Sequence, residues 1–388
     1  QAQGLPEPVP DVVAAGWRGA ALGGGRAAVG TGDGAQGRER EQRRKKTTQT
    51  SVNVHDKRAT KFTNHPLLFS REPWQALPAQ PRRVIAWAHG TWGVAAKCGP
   101  SLSPRFFEAT PALSQMVARG YVVVAPDYPG LGGDADGVHP YLAGVDTARS
   151  VIDAVRAARG ITGAAAGPRY AVWGESQGGH AALWTAAQAK GYAPELTLVG
   201  TAAAAPPTAL AANLAQASDA NARAMLTAFL AYSWSAHYDA PLASLFNRTN
   251  QGVATRLARN NCIALDASPK LGTVLGVLSV KAALKNKDIG KISPWSALAR
   301  RNSITAAAVP GPLLLAQGVA DPIVAPAVTR TFAQAYCRSG RPLRWVSLPG
   351  GDHGHSARDS ADATLAWIDA RFAGAPLPND CAAVQAGG

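Results

Sequence analysis

No uninterrupted apolar run in this chain of 388 residues reaches the roughly 18 residues that a membrane-spanning helix needs, so none is expected. The chain opens at Gln1 with neither a methionine nor a hydrophobic signal region. Its numbering is therefore expected to begin after a removed leader, or at a fragment boundary. Carboxylates are scarce, 25 Asp and Glu against 39 Lys and Arg, for a net charge of +14. That excess is spread along the chain, and the densest basic run, Arg43-Arg44-Lys45-Lys46, lies in a Gly-rich stretch with no interleaved aromatics. A nucleic-acid partner is therefore not expected, and the charge counts as a rate and adsorption effect at anionic surfaces. There are four cysteines and no C-x-x-C pair, which removes the usual zinc and thiol-redox spacings. An even count leaves two disulfides in an oxidising compartment, or four buried thiols in a reducing one; two disulfides are expected.

What the chain does have is core material, with 46% apolar residues. Residues 1–60 contribute little of it, being rich in glycine and charge without helical or strand periodicity, and are expected to form a flexible leader. Within and after it, Ser51–His55 alternates as a strand would, and Pro66–Ser70 reads as a second. From Arg82 onward apolar strands alternate with amphipathic helices. Strands are expected at 84–88, 121–125, 169–173 and 196–200, with helices at 111–119, 141–159 and 179–187 between them. This pattern predicts a mostly parallel sheet covered on both faces, the α/β class. The alternation stops between Pro207 and Val309, where 210–229 and 273–284 read as helices. It resumes with a strand at 312–316, a helix at 327–336, a strand at 343–348 and a helix from about 356 to 372. The expected division is a core of 61–206 and 310–388, interrupted by a helical cap over 207–309.

The chemistry centres on Gly174-Glu175-Ser176-Gln177-Gly178, between a strand and a helix. Small residues two before and two after the serine allow the sharp turn of a nucleophile elbow, which exposes the hydroxyl above the sheet. A serine hydroxyl is a weak nucleophile and needs a base, itself oriented by a third group. In elbow-type hydrolases the acid and the histidine follow the serine in that order. Asp321, in Gly318-Val319-Ala320-Asp321-Pro322, stands directly after a sheet strand. His353 lies 32 residues beyond it (353 − 321) in the glycine-flanked loop Pro349–His355. His355 is the second candidate, set lower because it abuts a helix start. The oxyanion donors are expected to be the backbone N–H of Gln177 and one from His89-Gly90-Thr91-Trp92, with Thr91 preferred to Trp92. His89 is assigned to bracing that loop and His180 to packing. Asp352-His353-Gly354-His355 lacks a further ligand pair, so no metal site is expected.

These residues are similar to the secreted lipases and esterases of the lipase A type within the α/β-hydrolase superfamily. The resemblance is carried by Trp87-Ala88-His89-Gly90-Thr91 with Cys98-Gly99-Pro100-Ser101, by Pro126–Gly132, by Trp173–His180, by Gly318–Pro322, and by Arg371-Phe372-Ala373-Gly374 with Cys381. It spans about residues 80–381; residues 10–60 depart from it, since such proteins reach the His-Gly strand through well-patterned antiparallel strands. The resemblance implies an α/β-hydrolase fold, a Ser176, Asp321, His353 triad, a helical lid before the acid strand and cofactor-free hydrolysis of carboxylic esters. It also implies the pairings Cys98–Cys262 and Cys337–Cys381. The resulting expectation is a secreted or periplasmic monomer acting on an ester or lipid, at a lipid-water or polymer interface. A peptidase or acyltransferase on the same triad, or a non-catalytic binding protein of the same fold, would share most of these features.

Overall fold

The computed structural model describes residues 80–133, 137–161, 163–263 and 269–386, together with the backbone of two short segments further upstream. Those segments are strands β1 (Val13–Ala15) and β2 (Val52–His55). The rest of the expected leader, and the strand expected at Pro66–Ser70, lie outside the described residues.

The sheet is built from β3 (Arg82–Ala88), β4 (Val122–Pro126), β5 (Ala166–Glu175), β6 (Thr197–Ala204), β7 (Leu313–Gly318) and β8 (Leu343–Leu348). These six run parallel in the order β4-β3-β5-β6-β7-β8, and β2 and β1 extend the β4 edge antiparallel. The connecting helices are α1 (Leu113–Ala118), α2 (Gly144–Arg159) and α3 (Gln177–Tyr192). Each of the six parallel strands carries four or more apolar residues because both faces are covered. Along β3 the side chains alternate: Val84, Ala86 and Ala88 pack with Val151, Ile152 and Val155 of α2 and Ala181 of α3. Ile85 and Trp87 pack the other way, against Met116 of α1. Trp87 meets Trp173 of β5 edge to face at 5.3 Å.

Between β6 and β7 the chain is helical: α4 (Leu210–Gln216), α5 (Ala220–Tyr238), α6 (Arg248–Asn260), α7 (Leu271–Ala283) and α8 (Trp295–Asn302). The single helix expected over 210–229 is in fact two. The first ends at Gln216, and Asp219 caps the second, its carboxylate accepting from the N–H groups of Asn221 and Ala222. These helices share a core of their own around Phe229, Trp234, Leu257 and Trp295. The final helices are α9 (Pro326–Arg338), α10 (Ser356–Asp359), α11 (Ala361–Phe372) and α12 (Cys381–Ala386). The helix expected from 356 to 372 is interrupted at Ser360.

Two disulfides tie the outlying segments down. Cys98–Cys262 joins the loop after β3 to the segment that follows α6 within the helical insert, and Cys337–Cys381 joins α9 to α12. The second spans 44 residues, worth about 4 kcal/mol in the chain-entropy account. Beside the first, the Ile263 N–H donates to the Trp92 carbonyl at 2.9 Å, so the insert is anchored next to the His89–Trp92 loop.

Candidate active site

A parallel sheet binds ligands at the carboxyl ends of strands where the winding reverses. Here the reversal lies at β3, whose sequential neighbour β4 is on one side and whose other neighbour, β5, is on the opposite side. The loops leaving β3 and β5 carry His89–Trp92 and Ser176.

Ser176 has φ +56° and ψ −121°, a conformation that a side chain rarely adopts. It is held there by its N–H, which donates to the Ala204 carbonyl at 2.9 Å, and by its own carbonyl, which accepts from His180 at 3.0 Å. The flanking glycines are required by contact rather than by dihedral freedom. A Cβ on Gly178 would overlap the backbone of Ala88 and His89, and one on Gly174 would overlap Gly178. The α3 amino end can therefore press onto β3, with the serine hydroxyl left facing His353.

The structure brings Ser176, His353 and Asp321 into one line. The His353 Nε2 lies 2.8 Å from the Ser176 Oγ, and its Nδ1 lies 2.8 Å from Asp321 Oδ2. With Nδ1–H donating to the carboxylate, Nε2 presents its lone pair to the hydroxyl. Asp321 is fully enclosed: Oδ1 accepts from the N–H groups of Ile323 and Val324 at 2.9 and 2.8 Å, and Oδ2 also accepts from Gln317 Nε2 at 3.1 Å. His355 is not brought in. Its Nδ1 pairs with Asp352 at 2.9 Å in solvent, and although it occupies the N-cap position of α10 its side chain makes no capping bond.

Gln177 and Thr91 flank the serine. The loop of Thr91 passes close to it, since a Cβ on Gly90 would stand 3.9 Å from Ser176 Cβ. His89 is buried, and burial lowers its pKa to about 4. Its Nδ1–H donates to the Gly90 carbonyl at 2.7 Å, and the Tyr128 hydroxyl donates to the His89 carbonyl at 3.1 Å. His180 is likewise buried, its Nε2 donating to the Asn302 carbonyl at 2.7 Å.

Sequence reasoning missed the segment that grips both sides of the cleft. His139 is buried, which lowers its pKa to about 3 and keeps it neutral. Its Nδ1–H donates to the Pro129 carbonyl at 3.0 Å, which leaves Nε2 to accept from the Gln177 side-chain amide at 2.6 Å. Two residues on, the Tyr141 and Thr91 hydroxyls share a hydrogen bond of 2.9 Å. This segment is in turn pinned to α5, with Ser233 Oγ donating to the His139 carbonyl and Trp234 Nε1 to that of Tyr141. No periodicity marks 137–140, and Tyr141 falls in the helix expected over 141–159, whereas α2 begins only at Gly144. Glu175 was also passed over. Burial pushes its carboxyl up to about 7, and Oε1 accepts from the Ala357 N–H at 2.8 Å.

Among the described residues there is no cluster of three or more His, Cys, Asp or Glu arranged for a metal ion, and no helix long and apolar enough to cross a membrane.

A serine on a strand-to-helix elbow, at the winding reversal of a parallel sheet with helices on both faces, defines an α/β-hydrolase. The chain belongs to the secretory lipase family, whose model matches residues 108–380. It is 26% identical over 329 residues to Lipase 5 of Candida albicans, covering 79% of this chain and 69% of that one. In fold it is similar to Candida antarctica lipase A, at TM-score 0.60 and 19% identity over 79% of this chain and 74% of that one. It is similar also to LipA, the rice cell wall degrading esterase of Xanthomonas oryzae, at TM-score 0.59 and 20% identity over 83% and 84%. The chain is accordingly a carboxylic ester hydrolase. The His89–Trp92 loop lies upstream of the residues that the family model matches.

Proposed function

We propose that this protein is a secreted lipase or esterase that cleaves carboxylic esters through a Ser176, His353, Asp321 triad and an acyl-enzyme intermediate. The observation that carries the reading is the unbroken line from Ser176 Oγ through both ring nitrogens of His353 to Asp321, each link 2.8 Å long. As the serine oxygen attacks the ester carbonyl, His353 Nε2 takes its proton and Asp321 stabilises the imidazolium that forms. The developing oxyanion is met by the backbone N–H groups of Gln177 and Thr91. Collapse of the tetrahedral intermediate expels the alcohol, which receives the proton from His353. Water, deprotonated by the same ring, then attacks the acyl-serine, and collapse of the second tetrahedral intermediate frees the acid and restores the Ser176 hydroxyl.

Support for the oxyanion assignment comes from the grip on its two residues, Gln177 by His139 and Thr91 by Tyr141. The helices over 207–309 act as the cap whose inward-facing residues shape the acyl site, and the two disulfides suit an oxidising, extracellular setting. Ser176→Ala is expected to remove p-nitrophenyl ester turnover while leaving thermal unfolding near that of the parent, since Ser176 Oγ lies at a cleft rather than in the core. Turnover near the parent rate in that variant would sink the assignment.

A further inference from the structure

Helix α7 is apolar on its outer face as well as on its inner one. A surface helix normally turns an apolar stripe inward and charged side chains outward. In α7 the two hydroxyls point into the protein, Thr273 to Asn261 Oδ1 at 2.6 Å and Ser279 to Asn250 Oδ1 at 2.8 Å. Gly276, Val277, Val280 and Ala283 complete that inner face, with Val280 fully buried, Gly276 lying against Leu257, and Val277 and Ala283 packed on the core of the helical insert. The outer face is Leu271, Val274, Leu275 and Leu278, spaced i, i+3, i+4, i+7. These side chains are 74%, 39%, 58% and 48% exposed and make up four of the seven large apolar residues exposed among the described residues. An apolar stripe of this kind on a water-facing helix marks a contact surface.

The charges around it state the chemistry of what it contacts. Lys270 precedes the helix, and Lys281, Lys285 and Lys287 follow in its last turn and beyond, Lys281 Nζ donating to Asn221 Oδ1 at 3.1 Å and Lys287 Nζ to the Leu245 carbonyl at 2.6 Å. From Ala240 to Lys287 the sequence has seven Lys and Arg and one carboxylate, Asp266. Pairing of two such faces between copies of the chain would bring lysines together on molecules that already carry +14 each. An apolar stripe bordered by ammonium groups matches the acyl and headgroup layers of a lipid surface bearing anionic headgroups.

We propose that the outer face of α7 is the docking surface by which this protein adsorbs to anionic lipid interfaces, with Leu271, Val274, Leu275 and Leu278 entering the acyl boundary and Lys270 and Lys285 meeting lipid phosphates. Docking goes beyond the hydrolytic reading and does not depend on it.

The test is co-flotation of the full chain with vesicles of ether-linked lipids, which an ester hydrolase cannot cleave, at 7:3 phosphatidylcholine to phosphatidylglycerol and with phosphatidylcholine alone. The wild type is expected to bind the mixed vesicles and to bind the neutral ones at least tenfold more weakly. In L271S/L275S, binding is expected to fall roughly tenfold for each leucine withdrawn. In K270Q/K285Q, binding to the mixed vesicles is expected to fall about fivefold per lysine, with binding to neutral vesicles unchanged. All three chains should hydrolyse soluble p-nitrophenyl acetate within twofold of one another. Equal vesicle binding by wild type and both variants overturns the proposal, as does absence of binding by the wild type. A wild-type dimer that L271S/L275S converts to monomer would assign the face to a second copy instead. Loss of soluble-ester turnover in L271S/L275S would assign the face to the catalytic site. Binding by a chain that proves inactive on every ester would retain docking and refute only the hydrolytic reading.

Discussion

Replacing Asp321 by asparagine exchanges one oxygen for NH2 at constant volume, and the donors around it dictate which way the new amide must face. All four hydrogen bonds to Asp321 come from donors: Ile323 and Val324 N–H at Oδ1, His353 Nδ1 and Gln317 Nε2 at Oδ2. The two backbone donors are fixed by the turn after β7, so the amide oxygen must stay with them. The NH2 is thereby aimed at His353 Nδ1, which can accept only by surrendering its proton. The proton moves to Nε2, and the ring then presents N–H to Ser176 Oγ where a lone pair is needed. A wrong tautomer of this kind lowers kcat about 10^4-fold, equivalent to about 5.4 kcal/mol of barrier. Stability should change far less, by about 1–3 kcal/mol at most for a buried polar mismatch. Gln317 can soften even that, because its Oε1 is buried without a partner and would accept from the new NH2 if the side-chain amide turned over. The assay is kcat for p-nitrophenyl butyrate from purified D321N, beside its thermal unfolding curve. A loss of tenfold or less in a folded variant would refute the claim that Asp321 sets the His353 tautomer.

Other consequences follow from neighbouring groups. His353→Ala should lose kcat by at least 10^4-fold, whereas His355→Ala should stay within twofold, because its exposed pair with Asp352 contributes little; steady-state kinetics on both variants that gave the reverse order would reassign the base. Tyr141→Phe removes the brace on Thr91 and should lower kcat about tenfold at constant KM, a fraction of the 10^2–10^3 lost with a whole oxyanion donor; a change confined to KM would place Tyr141 in substrate binding instead. His180 is held neutral in the fold with its pKa lowered from 6.5 to about 4. Between those values the unfolded chain binds the proton that the folded chain refuses, so this stability is present above pH 6.5 and lost as the pH falls toward 4. His180→Gln should therefore show a smaller drop in unfolding free energy between pH 7 and pH 5, measured by urea titration, and an unchanged slope would refute the linkage.

Much of the fold was legible because parallel strands buried on both faces must be apolar throughout. Val84–Ala88, Tyr121–Ala125 and Leu313–Ala316 announce themselves in the sequence for that reason. Helix ends were less legible: Asp219 and Ser360 break what periodicity joins, and a break depends on local hydrogen bonding rather than on the spacing of apolar residues. Ser176 could be singled out because an elbow needs glycines at fixed offsets, and the order of serine, acid and histidine along the chain left His353 and His355 as candidates for the base.

The sequence by itself determined the parallel α/β scaffold, the elbow and the short set of residues from which a relay can be drawn. Tertiary structure alone decided which histidine lies 2.8 Å from Ser176, that His139 and Tyr141 grip Gln177 and Thr91, and that α7 turns its leucines to water. The physical reason is range. Periodicity and turn chemistry act over a few residues, whereas His353 reaches Ser176 across a separation of 177 residues. Likewise, the outward face of α7 is fixed only once Thr273 and Ser279 have found Asn261 and Asn250 on α6 and its carboxyl end.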